Sequence, residues 1–206
     1  MSEAISNAQP FWLSGNFAPT FEETTATRLK VTGSIPPELN GRYLRNGANP
    51  ESGESAHWFL GNGMIHGVEL NNGHANWYRN RYVRTPLLNN ADHSQPVDER
   101  AKSLANTHII GHAGRILALE EGHWPFELSP ELDTLGPYNF AGKLQTGMTA
   151  HPKICAETGE LLFFAYGMVP PYMTYHRASA AGDLVQTEVI EVKGATMVHD
   201  FNITRN

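Results

Sequence analysis

Apolar and polar residues alternate in short runs along most of this chain, and the runs stop at turns rich in Gly or Asn. Alternation with a period of two is the mark of a half-buried β-strand. Residues 41–45 alternate and reach Asn46-Gly47, a tight-turn signal. Residues 65–70 alternate, stop at Asn71-Asn72-Gly73 and return through 74–84, a good hairpin candidate. The pattern resumes at 106–110, turns at 111–114, and continues through 115–121, 126–128 and the polar segment 131–136. Later runs cover 161–166, 172–176 and 184–192, the last two joined by a turn at 180–182. A shorter strand signal lies at 29–31, a proline-rich turn at 34–39, and a polar loop with a helical end at 87–103. No long amphipathic helix interrupts the series. The expected fold class is therefore all-β. Hairpins recurring about every 40 to 60 residues fit four-stranded propeller blades better than a sandwich. Residues 1–28 are polar and irregular apart from the aromatic stretch FWLSGNFAP, and are expected to form an N-terminal arm. Residues 29–206 are expected to belong to a single propeller domain.

Composition narrows the function classes. The 206 residues carry 15 basic and 21 acidic side chains, a formal charge of -6. With no basic run to neutralise phosphates, nucleic acid is not an expected partner. The single cysteine, Cys155, cannot form an internal disulfide. The N-terminus lacks a basic segment followed by an apolar core, so it does not read as a signal peptide. No run of about 18 apolar residues is present. The expectation is a cytoplasmic protein, with peripheral contact to a membrane still compatible.

Candidate chemistry lies in the ten histidines. Most sit beside turns or polar loops, where a histidine is ordinarily a hydrogen-bonding or surface residue. His57 and His66 flank a Gly-rich turn. His108 and His112 are separated by a strand and a turn, unlike the helical pair of a metalloprotease. His151, followed by Pro152, stands at an element boundary, because the proline biases the preceding residue toward an extended form. His199 lies in MVHDF, and its separation of 48 residues from His151 is what adjacent blades would give. Two imidazoles suit a divalent transition ion without specifying which one. Glu120 and Glu121 end an apolar strand. They are either a solvated pair or, for one of them, a carboxylate that orients a ligand histidine. Cys155 near His151 lacks any accompanying oxyanion-hole signal for thiol chemistry.

Several longer segments, in order, resemble the carotenoid cleavage oxygenase family, which includes the retinal pigment epithelium isomerase and the lignostilbene dioxygenases. They include LNGRYLRNGANP (39–50), HWFLGNGMIHGVEL (57–70), NTHIIGHAGRILALEEG (106–122), MTAHPKICAETGELLFFAYG (148–167) and MVHDFNITRN (197–206). The resemblance implies a seven-bladed β-propeller with ferrous iron on its axis, held by four histidines from four blades. His151 and His199 would be the first two metal ligands, with the third and fourth expected beyond residue 206. Glu121 would orient a ligand from behind. Phe59, Tyr82 and Phe140 are candidates for lining an apolar substrate tunnel. This chain would supply roughly the first three blades, as an N-terminal portion with little activity by itself.

The implied activity is cleavage of a conjugated C=C bond of a carotenoid or apocarotenoid with O2 as co-substrate, giving two carbonyl products. Two departures from the family pattern stand out. The turn often written WFDGDG is here Trp58-Phe59-Leu60-Gly61-Asn62-Gly63. Glu120 occupies the place where the stilbene-cleaving branch commonly has a lysine for the substrate phenol. This lowers the case for a phenolic stilbene. The alternatives are a lignostilbene-like dioxygenase and a non-catalytic β-propeller binding module.

Overall fold

The computed structural model describes residues 9–88 and 96–204. Within them the chain forms three four-stranded antiparallel sheets. The first contains β1 (Thr25–Ala26), β2 (Gly41–Ala48), β3 (Gly63–Asn71) and β4 (His74–Tyr82), in the order β1-β4-β3-β2. The second is a meander of β5 (His108–His112), β6 (Arg115–Leu119), β7 (Phe126–Leu128) and β8 (Thr134–Pro137). The third is a meander of β9 (Lys153–Ile154), β10 (Leu161–Tyr166), β11 (Met173–Ala178) and β12 (Leu184–Val189). Small sheets in succession match the blades expected from the alternation. No helix among the described residues is long and apolar enough to cross a membrane.

The turns follow backbone chemistry. Asn71 pairs with His74, and the two residues between them, Asn72 and Gly73, have φ of 46° and 80°. Two positive φ values make the turn whose twist matches a hairpin, and Asn-Gly tolerates them best. Ala113 and Gly114 repeat the geometry between β5 and β6, with φ of 49° and 75°.

Two sequence expectations fail. Asn46-Gly47 is not a turn: β2 runs through it, with Asn46 opposite Ile65 and Gly47 opposite Met64. The Asn46 amide instead donates to the carbonyls of Ala105 and His108, at 2.8 and 2.9 Å, tying the first sheet to the second. Residues 29–31 form no strand. The segment that reaches the free edge of β4 lies upstream, where Thr25 pairs with Arg79 and Ala26 with Tyr78. The buried Asn80 side chain holds it there, accepting from Thr24 N at 2.7 Å and donating to Glu22 O at 2.8 Å. Residues from the region expected to be an arm thus complete the first sheet. Of the expected loop at 87–103, residues 89–95 lie outside the described residues, and its end forms a 3-10 turn at Glu99–Ala101.

Two apolar clusters fill the gaps between sheets. Ile65 and Trp77 of the first sheet meet Ala118, Phe126 and Leu128 of the second. Leu117 and Leu119 of the second meet Leu161, Phe163 and Ala178 of the third. Full burial of each such side chain contributes about 1.5–3 kcal/mol.

Within the second gap, His176 is 1% exposed, stacks on Phe163 at 4.9 Å, and contacts the hydroxyls of Thr146 (2.9 Å) and Thr187 (3.0 Å). Burial holds its pKa down at about 4, from an ordinary value of 6.5. The neutral ring is therefore the folded form. Its contribution to stability is fully present above pH 6.5 and is lost as pH falls through about 4, on the order of 3 kcal/mol in all. Urea titrations of the intact protein between pH 7 and pH 4 should show this acid limb. His176→Gln should flatten it by about one proton's slope.

Candidate metal and substrate site

The end of β6 sets the site. Beyond Leu119 two consecutive carboxylates take different partners. Glu120 turns toward Ser103 and His123, and Glu121 toward the third sheet. The turn at 121–123 lies against the segment leading to His151: Gly122 N donates to Met148 O at 3.3 Å, and Met148 N to His123 O at 3.1 Å. Gly147 makes this approach feasible, because a Cβ there would collide with the Gly122 carbonyl. Thr149 N then donates to Phe164 O at 2.8 Å, fastening the segment to β10.

His151 follows at once. Its Nε2 is buried and without a hydrogen-bond partner among the described residues. Desolvation is the main cause that lowers its pKa, and the neighbouring His199 adds to it. Burial favours the neutral ring, in which Nε2 can carry the lone pair. His199 lies beside it, ring centroids 4.4 Å apart and nearly perpendicular. Its Nδ1 is 2.7 Å from Glu121 Oε2, which leaves Nε2 as the free nitrogen. Such a carboxylate fixes the tautomer and orientation of a metal-ligating imidazole. Tyr166 donates its hydroxyl to the other Glu121 oxygen at 2.8 Å, and the pair raises the phenol's pKa to about 12, burial being the larger cause.

The segment carrying His199 belongs to no strand. Besides Glu121, it is held by Lys153 Nζ, which lies 2.6 Å from Asp200 Oδ1, and by Phe201, whose ring meets Phe164 edge-on at 5.2 Å. His108 joins from β5: its Nδ1 contacts Ala150 O at 2.8 Å, and its ring lies 5.7 Å from that of His151. A carbonyl only accepts, so His108 Nδ1 is the protonated nitrogen. No group of three or more His, Cys, Asp or Glu side chains among the described residues is placed to hold a metal ion. Among the described residues the two ring systems nearest one another here are those of His151 and His199.

Both histidines and both glutamates border a cavity of about 690 Å³, whose other walls include Trp12, Phe17, Trp58, Phe59 and Met197. Phe11, Phe17 and Trp58 form an edge-to-face network with centroids 5.3–5.9 Å apart. The loop bearing Trp58 and Phe59 is fixed by Asn106, whose amide donates to Phe59 O and Gly61 O at 3.0 and 2.7 Å. Asn62, in the departing turn, accepts from Glu51 N and donates to Leu87 O. An aspartate could make only the first of these bonds.

Residues 17–206 match the family model of the retinal pigment epithelial membrane protein. A carotenoid cleavage oxygenase of Mycobacterium tuberculosis is 43% identical, the match covering 100% of this chain and 43% of that protein. This chain belongs to the carotenoid cleavage oxygenase family. The carotenoid 9,10(9',10')-cleavage dioxygenase 1 of Arabidopsis thaliana is 35% identical, with 94% of this chain and 43% of the relative covered. In structure, the chain matches the Pseudomonas brassicacearum lignostilbene dioxygenase with a TM-score of 0.83 and 30% identity, over 98% of this chain and 47% of that one. A Synechocystis apocarotenoid oxygenase mutant gives 0.74 and 25%, over 90% and 46%. The chain spans less than half the length of these oxygenases.

Of the residues singled out in the sequence, His151, His199 and Glu121 come together, and Phe59 lines the cavity beside them. Tyr82 and Phe140 do not line it. Tyr82 is 5% exposed and contacts the Asn49 amide with its hydroxyl at 2.5 Å, while Phe140 is 3% exposed and stacks on Phe163 at 5.6 Å. Both are core residues, because their side chains turn into the sheets. Tyr166 and the Lys153–Asp200 pair were not legible in advance, since their contacts span 45 and 47 residues.

Two outcomes are expected. Gly147→Ala should destabilise the protein by roughly 3 kcal/mol in denaturant unfolding, since only backbone can give way. Lys153→Met should leave stability within about 1 kcal/mol, as expected for a surface pair. It should nonetheless release the His199 segment, read as several-fold faster amide exchange over residues 197–201.

Proposed function

We propose that the chain carries two ligands and part of the substrate cavity of a non-haem Fe(II) dioxygenase. The reaction is cleavage of one conjugated C=C bond of a carotenoid or apocarotenoid, with O2 giving two carbonyl products. The observation that supports it is the buried His151 Nε2, partnerless among the described residues, beside a His199 ring whose Nδ1 meets Glu121, both at the wall of one largely apolar cavity. Imidazole nitrogens free of protein partners fit a divalent transition ion. In this reading the remaining two histidines come from blades outside residues 1–206, in a seven-bladed propeller of which this chain forms about three blades.

The protein's own residues would act in three ways. His151 and His199 hold the ion, and Glu121, braced by Tyr166, keeps the His199 ring turned toward it. Trp58, Phe59 and Met197 take up the apolar chain of the substrate and exclude water from it. When bound, iron supplies the activation of dioxygen beside the alkene. The exposed aromatic rings of Phe11, Phe17, Trp58 and Phe59 support peripheral contact with a membrane from which such a substrate would be drawn.

The structural likeness to the lignostilbene dioxygenase supports a second reading, in which the cleaved bond is that of a stilbene. The experiment is elemental analysis of the intact protein together with chromatography of products from an apocarotenal and a hydroxystilbene. Expected are about one iron per chain, lost in His151→Ala and His199→Ala, and two aldehydes from the apocarotenal. Glu121→Gln should weaken iron binding by about ten-fold or more. Iron content indifferent to both histidines would sink the reading, and products from the stilbene alone would favour the second one.

A further inference from the structure

We propose that His108 is a positioning residue for His151, fixing the peptide from which that imidazole projects. Its consequence for iron rests on His151 being a ligand in the proposed oxygenase.

His108 opens β5 and pairs with Leu119, the last residue of β6. The second sheet therefore delivers it to the same end from which Glu121 emerges. Its backbone is anchored from the first sheet, because the Asn46 amide donates to the His108 carbonyl at 2.9 Å. Its ring reaches the segment that leads into the third sheet: Nδ1–H donates to Ala150 O at 2.8 Å. The Ala150 carbonyl and the His151 N–H belong to one peptide plane, which also contains the His151 Cα. The other side of that plane is held by Thr149, whose Oγ1 accepts from His151 N at 3.3 Å. Pro152 then biases His151 itself toward extended backbone. His108 thus makes the shorter of the two hydrogen bonds that set the plane on which the His151 side chain stands. The two rings lie 5.7 Å apart, their planes inclined by 30°.

A second histidine on the same strand separates positioning from plain cross-linking. His108 and His112 are four residues apart in β5, so they share a face. His112 also ties the second sheet to the third through a carbonyl, with Nε2 at 3.1 Å from Gly159 O. Only the bond from His108 ends at the peptide that carries His151.

The test measures Fe(II) affinity of the intact protein anaerobically, by chelator competition, and amide exchange over residues 149–153 in its metal-free form. His108→Phe keeps a ring and loses the donor. It should weaken Fe(II) binding about ten-fold and speed exchange several-fold. His108→Asn should restore both, because its amide nitrogen lies the same number of bonds from the backbone as Nδ1. His112→Phe should lower the denaturation midpoint as His108→Phe does and leave Fe(II) affinity unchanged. Unchanged exchange in His108→Phe, or an equal loss of Fe(II) affinity in both Phe variants, would overturn the proposal. If His108→Phe does not fold, His108→Ala takes its place with the same outcomes. Faster exchange on loss of the donor, in a protein whose wild type binds no iron, would uphold the role of His108 and overturn the oxygenase reading instead.

Discussion

The close approach of the turn at 121–123 to the segment at 147–149 is the constraint on which the site depends. Two backbone hydrogen bonds join Gly122 to Met148 and Met148 to His123, and they form only because Gly147 presents no side chain to the Gly122 carbonyl. This contact brings the end of the second sheet against the start of the third. It places a carboxylate from one beside a histidine from the other. No local propensity creates it. The apolar cluster of Leu117, Leu119, Leu161 and Phe163 holds the two sheets at the distance it requires.

From that contact outward, the site has a graded construction. His151 is fixed by backbone on both sides and sits against buried Thr149 and Ala150. His199 rides on a segment without strand pairing and depends on side chains: Glu121, the Lys153–Asp200 pair and Phe201. The first imidazole is set by the fold, the second by contacts with it.

The neighbouring carboxylates just beyond β6 have different surroundings. Glu121 is saturated by His199 and Tyr166, which fits it for orienting a ring. Glu120 is held through one oxygen by Ser103 and Leu104, with His123 beside it. The aromatic loop at 57–60 then supplies the apolar wall opposite these polar groups, and Asn106 and Asn62 fix its base by side-chain bonds to backbone.

Local pattern in the sequence was enough for most strands and turns, and it singled out two histidines and Glu121 that the fold brings together. Alternation and Asn-Gly chemistry act within a few residues, and the blocks carrying the family resemblance surround these side chains. It misread Asn46-Gly47, because a turn signal describes local preference while Asn46 is committed to carbonyls about 60 residues away. It placed a strand at 29–31 in place of Thr25–Ala26, because the free edge of β4 and the Asn80 side chain that recruits the arm exist only in the folded chain. Tyr82 and Phe140 looked like tunnel residues because an aromatic side chain carries the same signal in a core as on a cavity wall. Which way each ring faces is decided by sheet packing. So is the meeting of Glu121, Tyr166, His151 and His199, whose contacts join residues brought together only when the sheets stack.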